Sequence, residues 1–206
     1  MKMNRLIEYL NELFPNARCE LNYSKDYELL LAVMLSAQTT DIRVNQVTNV
    51  LFKKYPDLKS LSEASLDDIE NIIKPIGTYH VKAKNVIAIA KKLNERPLCN
   101  DREYLESLSG VGRKTTNVVL SELYNEPYLA VDTHINRVAK RLGFANIDDD
   151  VAIVEKKLTS LIPKDNVVHI HHQLIFFGRY HCKAINPNCR NCKLKDICKY
   201  EKRNMS

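Results

Sequence analysis

The stretch "LSGVGRKTTNVV", Leu108–Val119, places two glycines, an arginine and a lysine between two apolar helical segments. Gly110 and Gly112 permit backbone conformations that other residues resist, and they leave the main chain bare. The amide groups at the start of the following helix are then open, and such groups bind phosphate. With Val111 packed into the core, this turn would grip a nucleic-acid backbone without reading bases. The alternative is a tight turn between two helices, with glycine ending the first.

Arg113 and Lys114 follow the glycines directly, at a place where positive charge opposes the helix dipole. Local stability does not explain two cations there, whereas an anionic ligand would. Arg113, the helix N-terminus and partial burial would all disfavour the charged form of Lys114. A neutral lysine amine can attack an electrophilic carbon and form a Schiff base. Read alone, Lys114 fits a phosphate contact better than a catalyst.

Asp132, in "AVDTHINRVAKRL", stands directly before a helix and is suited to cap it. Capping is by itself a sufficient reason for an aspartate at this position. A functional interpretation places the carboxylate beside Lys114 across a cleft, where it would take a proton from the amine or stabilise positive charge on a sugar ring. Capping and catalysis are compatible. His134 is assigned either a phosphate contact or packing beneath the cap.

Four of the six cysteines crowd into "CKAINPNCRNCKLKDIC", with the spacing C-x6-C-x2-C-x5-C. In a reducing compartment, clustered cysteines favour a metal site over disulfides. Zinc sites commonly use two well-separated CxxC pairs, whereas one CxxC flanked by single cysteines on longer arms fits a 4Fe–4S cluster better. Zinc stays the alternative. The expected metal ligands are Cys182, Cys189, Cys192 and Cys198.

The positive charge of the chain is concentrated near its C-terminus. The whole chain has a net charge of +6, and the segment from Arg179 to Arg203, with eight basic and two acidic residues, has the same net charge. A patch of this kind suits a polyanion such as nucleic acid, and a merely solvated basic tail is the alternative. Lys193 and Lys195, which lie between the cysteines, are the phosphate contacts expected here.

Apolar residues recur at helical spacing along most of the 206 residues, which predicts an all-α protein of nine or ten helices. The hydrophobic content of 45% is enough for one large domain or two small ones. No apolar run approaches the roughly 18–20 residues that a membrane span needs, and the N-terminal stretch lacks a signal-peptide core. We therefore expect a soluble, cytoplasmic monomer that has no membrane partner.

The chain resembles the endonuclease III family of DNA glycosylases and AP lyases over nearly its whole length. Four features occur in the family's order and separation: the four-cysteine spacing, "LSAQTTD" (Leu35–Asp41), "GVGRKT" (Gly110–Thr115) and "VDTHINRV" (Val131–Val138). The resemblance implies a six-helix barrel with a helix-hairpin-helix at residues 19–126. It also implies a second helical lobe, residues 1–18 and 127–206, that carries a 4Fe–4S cluster loop. The hairpin and Lys114 would line the cleft between the lobes.

The resemblance also implies roles for single residues in base-excision repair. Lys114 would be the nucleophile that forms the Schiff base, and Asp132 its carboxylate partner. Gln38 would insert where the damaged base has left the stack, although a polar cap or a core amide is the alternative at the end of an apolar helix. The substrates would be oxidised or ring-damaged pyrimidines and abasic sites in duplex DNA, the base being flipped out first. The expected DNA contacts are Gln38, Gly110, Val111, Gly112, Arg113, His134, Lys193 and Lys195.

Three positions depart from the family pattern. Ser109 replaces the usual proline of the hairpin, and Thr116 stands where alanine is usual. Thr78 follows Gly77 at a place where the family commonly has a bulky apolar wedge. The change at Thr78 concerns strand insertion rather than the chemistry.

Two other functions compete with this interpretation. A related enzyme would act on pyrimidine dimers or on mismatched bases, and Lys114 together with the short chain argues against the mismatch branch, while the dimer branch stays open. An iron–sulfur protein that binds DNA without catalysis is the alternative from another class. The presence of both Lys114 and Asp132 argues against it.

Overall fold

The computed structural model describes residues 1–200, so that Glu201, Lys202 and Arg203 of the basic tail lie outside the described residues. Residues 1–200 form eleven α-helices and no β-strand, which confirms the all-α prediction. One more helix is present than expected because α4, Leu58–Ser62, has only five residues, too few for a periodic pattern. None of the described helices is long and apolar enough to cross a membrane.

The chain divides into two compact units, which we call the central unit, Glu20–Tyr124, and the terminal unit, Met1–Cys19 together with the chain from Asn125 onward. The remaining helices of the central unit are α2 (Asp26–Leu35), α3 (Asp41–Lys54), α5 (Leu66–Ile73), α6 (Tyr79–Glu95), α7 (Arg102–Glu106) and α8 (Arg113–Tyr124). The helices of the terminal unit are α1 (Lys2–Leu13), α9 (Thr133–Leu142), α10 (Val151–Leu161) and α11 (Val167–Phe176).

Helix α2 is the buried helix of the central unit. Its sequence "DYELLLAVML" is apolar on every face, and all residues from Leu29 to Leu35 are buried. A helix that is apolar all round must be covered on all sides, and α2 packs against α3, α6 and α8. Its N-terminus is closed by Glu28, whose Oε2 accepts hydrogen bonds from the backbone amides of Ser24 (2.8 Å) and Lys25 (3.2 Å).

Helix α6 is the longest helix of the described chain, with 17 residues. It packs against α2, α4 and α5, and its buried apolar residues recur at helical spacing, which is why the sequence pattern identifies it. It begins after Thr78, whose φ of 55° lies in the left-handed region. A β-branched residue is rarely found there, so the turn before α6 is held against a local preference.

The core of the terminal unit joins the two ends of the chain. Helix α1 packs against α11, which in turn packs against α9. The shared core includes the buried side chains Leu6, Leu10, Ile135, Val138, Ile170, Leu174 and Phe177. Leu194, from the cysteine-rich segment, is also buried in this core, with 1% of its surface exposed. The segment that carries the cysteines is therefore anchored by apolar packing.

Two buried threonines of the central unit provide a matched test of hydroxyl pairing. Thr116 Oγ1 is buried without a hydrogen-bond partner, whereas Thr48 Oγ1 donates to the backbone oxygen of Val44 at 3.0 Å. Replacing an unpaired buried hydroxyl by a methyl group removes a desolvation penalty, so Thr116→Val should raise the free energy of unfolding by about 1 kcal/mol.

The control for this prediction is Thr48→Val, which makes the same change at a paired hydroxyl and should lower the free energy of unfolding by about 1 kcal/mol. Urea denaturation followed by circular dichroism measures both. A loss of stability in Thr116→Val would show that its hydroxyl has a partner.

Candidate DNA-binding and cysteine sites

The expected hairpin lies between α7 and α8 in the central unit. Asp101 caps α7 by accepting a hydrogen bond from the backbone amide of Tyr104. In the turn, Leu108 and Val111 are buried, with 3% and 5% of their surfaces exposed. The amide of Val111 donates to the oxygen of Leu108 at 3.1 Å. Two apolar anchors therefore fix a turn whose other residues face solvent.

The two glycines of the turn are required for different reasons. Gly110 has φ +75°, and a Cβ atom there would lie 2.3 Å from Nδ2 of Asn85 on α6. The positive φ disfavours a side chain at this position, and the side chain of Asn85 would have to move to admit one. Gly112 has neither constraint, since a Cβ atom there would meet nothing within 4 Å. Gly112 does not use the left-handed region, and its backbone is open to an incoming group, as the sequence predicts for a bare main chain.

Lys114 is the second residue of α8, and its side chain is exposed. The expected partial burial is therefore wrong for this side chain. Its ammonium group forms no hydrogen bond with the residues that the structure describes. The first amide bonded within the helix is that of Thr116, which donates to the oxygen of Gly112 at 3.0 Å. The amides of Lys114 and Thr115 have no intrahelical acceptor and are available to an anion.

Asp132 caps α9 in the terminal unit, as the sequence predicts. Its Oδ1 accepts a hydrogen bond of 2.8 Å from the backbone amide of Ile135. Oδ2 accepts no hydrogen bond within residues 1–200, and the side chain is half-buried. One oxygen is thus used for capping, which leaves the other free to take part in chemistry.

His134, in the first turn of α9, is held by Arg137. Nη2 of Arg137 lies 3.2 Å from His134 Nδ1 and 2.7 Å from the backbone oxygen of Gly178. Because a guanidinium can only donate, Nδ1 must accept, and the proton of a neutral ring is then on Nε2. Gly178 packs so closely that a Cβ atom there would lie 2.7 Å from the Cβ of His134. The imidazole is therefore oriented with Nε2–H as a donor.

Gln38 lies in a turn three residues after the end of α2, with φ 58°. Its side chain is exposed and makes no hydrogen bond to any described residue. It is neither the core amide nor the helix cap that the sequence left open as alternatives. The turn that carries it is contacted by Lys82 of α6, whose Nζ donates to the backbone oxygen of Ala37 at 2.7 Å.

Lys82 is a buried residue that sequence reasoning missed. In "YHVKAKNVI" it has the same residue type as Lys84, which is exposed, while Lys82 is only 5% exposed. No local signal separates the two, because burial depends on the position of α2 against α6. Arg137 was missed for the same reason, since its partners His134 and Gly178 are fixed by the packing of α9 against the segment after α11.

The four clustered cysteines line one small cavity of about 20 Å³ within the terminal unit. Arg141 and His181 also line it. Burial raises the pKa of the Cys192 thiol, and negative charge on the other three sulfurs raises it further. Four thiolates would therefore need a compensating cation. Among residues 1–200, no group of three or more His, Cys, Asp or Glu side chains is arranged to hold a single metal ion.

The backbone around the first cysteine departs from α-helical geometry. After α11 the chain forms a π-helical turn, Phe177–His181, in which the amide of Cys182 donates to the oxygen of Phe177 at 2.6 Å. Nη1 of Arg141 donates to Sγ of Cys182 at 3.4 Å and to the oxygen of Lys183 at 2.7 Å. A cation from α9 is thus directed at a cysteine sulfur.

Helix α1 forms ion pairs with residues 193 and 196 of the cysteine-rich segment. Arg5 binds both carboxylate oxygens of Asp196, at 2.6 and 2.9 Å. Lys193 Nζ lies 2.6 Å from both carboxylate oxygens of Glu12. The positive charge of Lys193, an expected DNA contact, is therefore partly compensated within the protein. Lys195 is exposed and has no partner in the described chain.

Comparisons with known proteins identify the family. Residues 31–164 match the model of the HhH-GPD superfamily base excision DNA repair proteins. Endonuclease III of Bacillus subtilis strain 168 is 45% identical over 196 residues, which cover 94% of this chain and 90% of that protein. The chain belongs to the endonuclease III family. The prediction of a base-excision-repair DNA glycosylase and AP lyase is thereby confirmed.

Two solved endonuclease III structures are similar to this one in fold. A non-covalent endonuclease III–DNA complex is 44% identical, with a TM-score of 0.94 over 100% of this chain and 98% of that one. A trapped covalent endonuclease III–DNA intermediate is 44% identical, with a TM-score of 0.93 over 100% of this chain and 99% of that one. The expected fold of the endonuclease III family is confirmed.

The geometry of Asp132 predicts that capping and chemistry can be separated. Asparagine caps a helix as well as aspartate, whereas alanine does not. Asp132→Asn should therefore keep the free energy of unfolding within about 0.5 kcal/mol of the parent chain, and Asp132→Ala should lower it by about 1 kcal/mol. Urea denaturation checks both variants. Equal stability of the alanine variant and the parent would mean that the cap contributes nothing.

Proposed function

We propose that this endonuclease III family member removes oxidised or ring-damaged pyrimidines from duplex DNA and cleaves the resulting abasic sites by β-elimination. We propose Lys114 as the nucleophile and Asp132 as the assisting carboxylate. The observation that carries the proposal is the exposed amine of Lys114 in the first turn of α8, next to amides open to an anion. The covalent DNA intermediate of a 44% identical relative supports Schiff-base chemistry.

The reaction follows from the chemistry of an amine. Once Lys114 has lost its proton, its nitrogen attacks the anomeric carbon, the bond from that carbon to the base breaks, and the base leaves with the bonding electrons and a proton. The sugar ring then opens, because the bond from the anomeric carbon to the ring oxygen breaks and that oxygen takes up a proton, which leaves an iminium on Lys114. The iminium acidifies the hydrogen on the neighbouring carbon of the sugar. Removal of that proton expels the 3′ phosphate. Asp132 would accept a proton from the amine or stabilise positive charge on the sugar.

The same proposal assigns the DNA contacts. The turn around Gly112 would bind backbone phosphate through its open amides, and the Nε2–H of His134 would donate to another phosphate. Gln38 would occupy the space of the flipped base, since its side chain is exposed and has no competing bond among the described residues. Lys195 would add a phosphate contact in the terminal unit. We place this activity on DNA in the cytoplasm.

We propose that Cys182, Cys189, Cys192 and Cys198 hold a 4Fe–4S cluster. Their position around one cavity supports this assignment. A 4Fe–4S cluster would be bound by four thiolates, which matches the number of cysteines around the cavity. When bound, the cluster would cross-link the segment and fix its lysines; Arg141 would donate to the sulfur of Cys182.

Borohydride reduction tests the role of Lys114. Duplex DNA that carries an oxidised pyrimidine or an abasic site should form a stable covalent adduct with the parent protein. Lys114→Ala should lose the adduct and still bind abasic duplex DNA, because only the amine has been removed. Denaturing electrophoresis measures the adduct, and filter binding measures affinity.

The matched control is Lys91→Ala, which removes another exposed lysine of the central unit and should trap like the parent. Undiminished trapping by Lys114→Ala would remove Lys114 from its role. Parallel duplexes with a pyrimidine dimer or a G·T mismatch distinguish the competing substrate classes, and preferred reaction with either would overturn the lesion assignment.

Metal analysis tests the cofactor. The purified protein should be yellow-brown, absorb visible light and contain about four irons per chain. Cys192→Ala should lose most of the iron, whereas Cys99→Ala, which changes a cysteine outside the segment, should keep it. A colourless protein with one zinc per chain would contradict the assignment.

A further inference from the structure

The central unit contains a buried ammonium group whose role is not explained by the proposed chemistry. Lys82 of α6 is 5% exposed. Its Nζ donates to the backbone oxygens of Leu35 (2.9 Å) and Ala37 (2.7 Å), and it lies 3.5 Å from Thr39 Oγ1. No carboxylate in the described chain pairs with it. The three hydrogens of the ammonium therefore match three acceptors in one short segment, at the end of α2 and in the turn after it.

Such a group is costly unless its surroundings compensate for the lost water. Burial lowers the pKa of Lys82, which reflects that cost. The compensation comes from backbone oxygens at the C-terminus of α2, where the helix dipole is negative. If packing were the only requirement, a leucine or methionine at this position would fill the space without burying a charge. The ammonium is therefore specifically matched to the turn that follows α2.

The other hydrogen bonds of that turn are local. The amide of Thr39 donates to the oxygen of Ser36 at 3.0 Å. The hydroxyl of Ser36 donates to the oxygen of Val33 at 2.8 Å, and that of Thr39 to the oxygen of Ala37 at 3.4 Å. Gln38, at its tip, has a left-handed backbone that is unfavourable for a residue other than glycine. The side chain of Gln38 is exposed and unbonded within residues 1–200. The hydrogen bonds from Lys82 thus supply a contact from outside the turn.

Lys82 also adjoins a second exposed turn. Its backbone amide donates to the oxygen of Thr78 at 3.1 Å. Thr78 is exposed and, like Gln38, has a positive φ, here 55°. Arg43 of α3 contributes a further bond to this turn, from Nη1 to the oxygen of Pro75 at 3.3 Å. Lys82 therefore bonds to the Gln38 turn through its side chain. It lies in the first turn of the helix that follows Thr78, and its bond to Thr78 is the ordinary backbone bond of that helix start.

We propose that Lys82 is a positioning residue that fixes the Gln38 turn relative to the Thr78 turn, so that Gln38 enters the DNA stack in a set orientation. The proposal rests on the proposed role of Gln38 and adds to it the residue that orients its turn. Because Lys82 is buried, it would act through the backbone of residues 35–39 rather than by contact with DNA. If Lys82 contributed only to global stability, its effect on excision would not depend on Gln38.

Amide hydrogen exchange tests the structural half of the proposal without DNA. Lys82→Met keeps the aliphatic stem and removes the donors. The amides of Ser36 and Thr39 should then exchange about tenfold faster than in the parent. Thr48→Val, which removes a buried hydroxyl bond in α3, serves as the control and should leave these two amides within about twofold after correction for global stability. Unchanged exchange in Lys82→Met overturns the proposal.

A double-mutant cycle with Gln38→Ala tests the functional half. In single-turnover excision from a duplex that contains an oxidised pyrimidine, Lys82→Met should be slower by about tenfold or more. When Gln38 is already alanine, adding Lys82→Met should slow excision by less than about threefold, because the effects of residues that act through one another are not additive. Cleavage of an abasic site in a single strand, which has no stack to enter, should stay within about threefold of the parent. Lys91→Met is the charge control.

The remaining outcomes are also decisive. Additive losses, or a loss in Lys82→Met with none in Gln38→Ala, mean that Lys82 does not act through Gln38 and overturn the proposal. A parent protein that forms no borohydride adduct with abasic DNA defeats the proposed function instead. In that case the hydrogen-exchange result still decides whether Lys82 orders the turn.

Discussion

The first two turns of α6 set the positions of the exposed turns in the central unit. Lys82 bonds to the oxygens of Leu35 and Ala37, and Asn85, one turn further on, packs against the bare Cα of Gly110. Both the turn that carries Gln38 and the hairpin before α8 are therefore in contact with α6. Because side chains that bind or react must be held within a fraction of an ångström, a rigid helix beneath several turns is a physical requirement of such a site.

In the terminal unit, the segment from Cys182 to Cys198 contains little regular structure and must be held by other contacts. One 3₁₀ turn, Lys195–Ile197, and a few backbone bonds organise it. Its fixed points are the buried Leu194, the pairing of Arg5 with Asp196, and the hydrogen bond from Arg141 to a sulfur. Exposed ion pairs contribute little to stability. A metal centre bound by four thiolates would supply the cross-links that a short polar segment cannot obtain from a core.

Several residues of this chain lower local stability at places that we propose to bind DNA. Two cations begin α8, where the helix dipole disfavours positive charge. Gln38 and Thr78 occupy left-handed backbone conformations that glycine would adopt more easily. Asp132 differs from these residues, because it stabilises the fold as well. One of its carboxylate oxygens caps α9, while the other stays unbonded among the described residues. Departures from local preference are expected at functional sites.

The sequence by itself determined most of the helices, the cap at Asp132, the hairpin and the family, because periodicity, capping residues and cysteine spacing are local properties. Tertiary structure alone decided that Gly110 is crowded while Gly112 is open. It also decided that Lys82 is buried while Lys84 is exposed, and that Lys193 is paired with Glu12. Each of these depends on a segment distant in the chain, and contacts of that kind are created only when the helices pack.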